Sequence, residues 1–175
     1  MTNTLFFLPH EIDHDTYETL IREIEAVDRS ERITLHCVTV GGATDAAVAI
    51  SDYISHRGNV DGILFSRSYS CGPMIFAACE RRYVSRNASL ALHQSAFSWE
   101  AGVTQSSARS ILTSIDSTHT IIADYLDRAS YDAYDKSYWR AIVERVHHDS
   151  AEYLDAAFIK SVGLAKDISE YRKDE

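Results

Sequence analysis

Ser70 stands in the stretch Ser68-Tyr69-Ser70-Cys71-Gly72-Pro73-Met74, where an apolar run gives way to a Gly-Pro step, and His93 follows 23 residues later at the end of an alternating run. A serine hydroxyl attacks a carbonyl only when a base takes its proton and donors receive the oxyanion that forms. His93 is placed to be that base. Donors are available in two stretches. Gly41-Gly42, 28 residues before Ser70 when counted from Gly42, can adopt unusual dihedrals and turn amides toward an anion. The amides of Ser70-Cys71-Gly72 open a helix and carry its positive end. Together these groups could perform acyl transfer. A plainer reading uses the same residues: serine before glycine caps helices and makes turns, and a strand-end histidine is commonly just hydrogen-bonded. Spacing alone leaves both open.

Other constellations compete. His10-Glu11-Ile12-Asp13-His14 matches H-E-x-x-H, which on a helix would put two histidines on one face for zinc with the glutamate as base. Pro9 precedes it directly and the helical apolar stripe starts only at Tyr17, so the motif reads as a surface turn. Cys71 is a rival nucleophile, since thiols are intrinsically the stronger ones, but its amide is wanted for the oxyanion. A serine-lysine dyad lacks its lysine, because the first one in the chain is Lys136. His147 and His148 sit in a polar run and read as solvated, and Cys37 as buried core.

The elements that must position these groups follow from periodicity. Thr4 to Leu8 is a short apolar run, and Asp13 or Asp15 caps a helix with Tyr17, Leu20, Ile21 and Ile24 on one face. Ile33 to Val40 is a β-branched strand, and a helix with Ala46, Ala47, Ile50, Tyr53 and Ile54 ends at Gly58. Gly62 to Phe65 is a third apolar run, and Pro73 begins a further helix. In Ser89 to His93, Leu90 and Leu92 face one way and Ala91 and His93 the other. A long helix over about Thr104 to Arg128 carries Ile111, Ile115, Ile122 and Leu126 as its stripe. Helices around Trp139–Val146 and Asp155–Val162, and a closing strand at LAKDI, complete the chain. The βαβαβα order predicts an α/β domain with right-handed crossovers and a mainly parallel sheet. Residues 1–175 read as one domain with a frayed tail over about 169–175.

The bulk numbers agree. A chain of 175 residues with 45% hydrophobic and 25% charged residues supports one real core. A net charge of −9 with only four lysines argues against nucleic acid as a partner. No run approaches a membrane span and no signal peptide is visible, so neither a membrane nor export is expected. Three cysteines, Cys37, Cys71 and Cys79, form no CxxC pair and fit the reducing cytoplasm.

Three stretches, GGATDAAVAISDYI, ILFSRSYSCGPMIFAAC and ASLALHQS, resemble the proteolytic subunit of the Clp protease, a serine peptidase of the ClpP/crotonase fold. That family carries a Gly-Gly before a helix, then a Ser-x-Gly at a strand-to-helix step, then a His-Gln, in this order. LFFLPHEIDHDTYETLI and AFIKSVGLAKDI resemble its opening and closing segments more weakly.

The resemblance implies repeated βαβ units with a long helix after the His strand. It makes Ser70 the nucleophile, His93 the general base, and the amides of Gly42 and Cys71 the oxyanion hole, with a side chain at Gly42 expected to block close approach. Its aspartate falls nearest to Asp149, about two positions away when counted back from Gly163, and Asp155 is the alternative. The implied activity is serine endopeptidase on unfolded proteins or peptides, without metal or organic cofactor, in a heptameric ring that stacks as a tetradecamer. A CoA-dependent crotonase would have a longer chain and acidic catalytic residues. Val40 stands where the family has proline, and Ser95-Ala96-Phe97-Ser98-Trp99 replaces its Pro and glycines in the channel-lining segment, which bears on cleft shape and ring pairing. The chain begins almost at its first strand, so an ATPase unfoldase partner is not expected. The competing class is an inactive ring or scaffold subunit.

Overall fold

The computed structural model describes residues 4–95, 104–131, 133–146 and 150–171, apart from the side chain of Gln105. In chain order its elements are β1 (Thr4–Phe7), α1 (His14–Glu25), β2 (Ile33–His36), α2 (Thr44–Arg57), β3 (Val60–Leu64), β4 (Arg67–Tyr69), α3 (Gly72–Ala78), β5 (Arg81–Val84), β6 (Ser89–Leu92), α4 (Gln105–Ala129), α5 (Lys136–Arg145), β7 (Glu152–Asp155), α6 (Ala156–Ser161), β8 (Lys166–Asp167) and α7 (Ile168–Tyr171).

The strands form two sheets rather than the single one expected. Five parallel strands run in the order β1-β2-β3-β5-β8, and a second sheet runs β4-β6-β7, with β4 parallel and β7 antiparallel to β6. The switch comes at Phe65-Ser66, where the chain leaves β3 and restarts as β4 in the other sheet. β3 is buried at all five positions, as a central parallel strand must be. β6 departs from the expected alternation, because Leu90, Ala91 and Leu92 are all buried.

Local chemistry sets the helix ends. Asp13 and Thr16 form a reciprocal capping box at the start of α1, with Thr16 N–H donating to Asp13 Oδ1 at 2.7 Å. Thr104 and Ser107 do the same for α4. Gly58 ends α2 in a positive-φ conformation. The core gathers Ile24, Leu35, Ile50, Met74, Phe76 and Trp139, each buried, and each such side chain contributes roughly 1.5–3 kcal/mol through removal from water. The C-terminal half of α4 joins this core through Ile122, Ala123, Leu126 and Ala129, whereas Ile111 and Ile115 are half-buried and Leu112 is 65% exposed.

The tail is ordered further than expected. Residues 168–171 form α7, whose Tyr171 hydroxyl pairs with Thr34 Oγ1 at 2.6 Å and whose ring meets Tyr83 edge-on at 5.1 Å between centroids. Among the described residues no helix is long and apolar enough to cross a membrane.

Candidate active site

Ser70 lies between β4 and α3, and His93 directly follows β6. These two strands pair in parallel with Tyr69 opposite Ala91, and the Ser70 N–H donates to the Ala91 carbonyl at 2.9 Å. Paired strands run about 4.8 Å apart, so the chain leaving β4 emerges beside the chain leaving β6. The Tyr69 and His93 rings lie 5.5 Å apart between centroids. Ser70 has φ 60°, a left-handed conformation that costs a residue with a Cβ about 1–3 kcal/mol and persists where its surroundings enforce it. This turn swings the chain from strand to helix.

Ser70, His93 and Gly42 line one cavity of about 740 Å³, whose further walls include Val48, Thr118 and Ile121. The His93 Nδ1 is 2.7 Å from the Gln94 carbonyl oxygen. A carbonyl only accepts, so Nδ1 carries the hydrogen, and the neutral ring keeps its lone pair on Nε2. An imidazole in this tautomer can take a proton at Nε2.

Gly42 pairs with Ile12 in a parallel bridge that uses the neighbouring groups: Ile12 N–H donates to Gly41 O at 2.8 Å and Ala43 N–H to Ile12 O at 2.7 Å. The Gly42 amide therefore faces away from Ile12. The Gly42 carbonyl accepts the Cys71 thiol at 3.8 Å, so the Gly42 and Cys71 backbones adjoin. Burial pushes the Cys71 thiol up to about 11, partly opposed by the backbone amides of Gly42 and Cys71, so the sulfur stays protonated and is a poor nucleophile near neutral pH.

The expectation for Gly42 needs correcting. A Cβ there, at φ +145°, would run into the Ile12 carbonyl and lie 2.8 Å from its nitrogen, so it would break the bridge rather than fill the cavity. The glycine that abuts the serine is Gly41, whose Cβ would lie 2.5 Å from Ser70 Cβ.

Asp149, His147 and His148 lie outside the described residues. Asp155, the alternative third member, stands opposite Ser89 at the far end of β6 from His93. It caps α6, accepting the Phe158 N–H at 2.7 Å. With Leu92 opposite Glu152, the pair that would follow in register is His93 with Ala151, whose side chain is a methyl group without an acceptor. His10 precedes the cap of α1 and His14 is its first residue, with Nε2 at 3.2 Å from Asp45 Oδ2, so the H-E-x-x-H motif never occupies one helix face. Among the described residues no three His, Cys, Asp or Glu side chains converge as a metal site requires.

Beneath the serine turn, Ser68 is fully buried and its Oγ has no hydrogen-bond partner among the described residues. It faces Gly72, where a Cβ would collide with it. An unsatisfied buried hydroxyl costs roughly 1–3 kcal/mol. Ser68→Ala is therefore expected to stabilise the fold by about 1 kcal/mol, read as a rise in Tm of roughly 2–4 °C for a chain of this size.

Sequence reasoning missed Tyr69 against His93, Gly41 behind Ser70, and a buried histidine, His119, whose Nε2 accepts the Ser95 N–H at 3.1 Å. The last had a signal: His119 is four residues after Ile115 and three before Ile122, on the apolar stripe of α4.

A comparison with curated proteins finds no matching relative. The Clp protease family model matches residues 1–172 of the 175, so the chain belongs to that family.

Proposed function

We propose that residues 1–175 form one ClpP/crotonase-like peptidase domain that hydrolyses peptide bonds of unfolded proteins or peptides. Ser70 Oγ adds to the carbonyl carbon while His93 Nε2 takes its proton. The oxyanion is received by the Gly42 and Cys71 amides. The tetrahedral adduct collapses with cleavage of the C–N bond, and His93 returns the proton to the leaving amine. Water then attacks the acyl-enzyme with His93 again as base, releasing the acid and restoring Ser70. No metal or organic cofactor enters these steps.

The observation that carries this reading is the shared cavity: Ser70 in a left-handed turn, His93 in the tautomer that leaves Nε2 as the acceptor, and Gly42 line the same space. We place Asp149 third. In support, Val146 O accepts the Gln94 N–H at 2.9 Å and Glu152 stands opposite Leu92, so described residues before and after Asp149 in the chain pair with the two neighbours of the base. We propose assembly into a heptameric ring, stacked as a tetradecamer, as the family resemblance implies; the exposed Leu112 and half-buried Ile111 and Ile115 along the N-terminal half of α4 support self-association as such. A cytoplasmic setting fits three free, buried thiols.

One observation favours a second reading, an inactive ring or scaffold subunit: among the described residues the partner of His93 Nδ1 is a main-chain carbonyl, that of Gln94, and not a carboxylate. A fluorophosphonate probe separates the two. Labelling of the folded protein that disappears in Ser70→Ala is the expected result, whereas no labelling of folded protein supports the scaffold.

A further inference from the structure

Two imidazoles are joined by a single peptide group. His93 Nδ1–H donates to the Gln94 carbonyl at 2.7 Å, and the amide of the same peptide unit, the Ser95 N–H, donates to His119 Nε2 at 3.1 Å. Because the peptide unit is planar, fixing its N–H also fixes the direction of its C=O. An acceptor on the N–H further polarises the carbonyl and strengthens the bond that the carbonyl receives. His119 is 5% exposed on α4, so its ring is held by packing. Ser95 itself lines the cavity shared by Ser70 and His93. The Gln94 N–H and side chain are braced separately, by the Val146 and Glu144 carbonyls. Among the described residues, the N–H of the 94–95 peptide unit is held by His119.

We propose that His119 is a positioning residue which orients His93 through the Gln94–Ser95 peptide plane. The inference rests on the peptidase reading for its effect on rate, but the relay itself is a property of the fold. It supplies for Nδ1 an acceptor of fixed direction beside the end of the β6–β7 ladder, which closes with Leu92 opposite Glu152.

The relay requires a neutral His119, since a protonated Nε2 would face the Ser95 N–H donor to donor. Burial holds His119 below the ordinary histidine value, aided by Arg140 of α5 and by His93, and opposed by Glu144 of α5 and Asp116 of α4. A histidine with a lowered folded value favours its neutral form, so the arrangement is fully present above the ordinary value of about 6.5 and weakens as pH falls toward the lower one.

The test compares His119→Gln, whose amide oxygen can replace Nε2 as acceptor, with His119→Leu, which cannot accept. Two readouts are used on the full chain: imidazole nitrogen NMR shifts, which report the His93 tautomer, and the rate of Ser70 fluorophosphonate labelling against pH. In the wild type and His119→Gln, His93 is expected to hold its proton on Nδ1 and labelling to differ by less than about threefold near neutral pH, with the acid-side fall shallower in His119→Gln. In His119→Leu the tautomer preference is lost and labelling slows roughly tenfold or more, the scale of other outer-shell orienting partners. A folded His119→Leu protein with wild-type tautomer and rate overturns the proposal. So does a His119→Gln protein that has lost both. If Ser70 labels in none of the proteins, the peptidase reading fails, while the tautomer measurement still decides the role of His119.

Discussion

In a His93→Ala variant, peptide hydrolysis is expected to fall by roughly six orders of magnitude with the fold intact. The size of the loss follows from what the imidazole does. A serine hydroxyl is almost wholly protonated near neutral pH, so without a base at hand it is a weak nucleophile, and the leaving amine has no acid to protonate it. His93 is suited to both steps because the Gln94 carbonyl ties up Nδ1–H and leaves Nε2 as the acceptor. Residues that act as one unit fail together, so Ser70→Ala/His93→Ala is expected to be no slower than either single variant. Asp149→Asn provides the contrast. With Nδ1 already bonded to a main-chain carbonyl, removing a further acceptor is expected to cost no more than about a hundredfold, well short of what a triad carboxylate contributes where it alone sets the tautomer. Steady-state hydrolysis of a fluorogenic peptide by the wild type and the four variants, Ser70→Ala, His93→Ala, their double and Asp149→Asn, checks this ordering. Equal losses in Asp149→Asn and His93→Ala would mean that the carboxylate, not the peptide group, governs the base.

The candidate groups were legible because each sits where a strand ends, and strand ends are marked by punctuation: Gly41-Gly42 after β2, Cys71-Gly72-Pro73 after β4, His93 at the close of β6. The second sheet was not legible. β4 is three residues long, Arg67-Ser68-Tyr69, with too few positions to show a period. β5 begins with Arg81-Arg82, which look like surface. In the fold Arg81 pairs with the fully buried Asp61, and Arg82 Nε donates to the Leu164 carbonyl at 2.6 Å, so both cations are consumed by partners distant in sequence. β7 buries only Leu154 and therefore reads like the start of the helix that follows. The same distance effect explains the third member of the site. Which residue lies across from His93 depends on the β6–β7 register, and that register is fixed by pairing across more than fifty residues, with Leu92 opposite Glu152, rather than by any local motif.

Gly41→Ala is expected to lower the rate of Ser70 labelling by at least about a hundredfold, on the scale of losing an oxyanion donor, because the methyl group displaces the proposed nucleophile itself. Two penalties combine at this position. Gly41 has φ +91°, which L side chains rarely adopt, and its Cβ would lie 2.5 Å from Ser70 Cβ and 2.8 Å from the Tyr69 carbonyl. Backbone contacts of that kind do not relax by turning a rotamer, so the serine turn must shift, and a displacement of about 1 Å at a reacting atom can cost a hundredfold on its own. Gly58→Ala separates the two penalties. Gly58 has φ +65° and ψ −173°, a region essentially reserved to glycine, with no atom within 4 Å of the added Cβ, so that variant should lose about 1–3 kcal/mol of stability to backbone strain alone and keep its labelling rate. Thermal unfolding and labelling of both variants are the measurements. If Gly41→Ala folds and labels at the wild-type rate, the backbone behind Ser70 is more yielding than its packing implies, and the left-handed serine turn is not what holds the nucleophile in place.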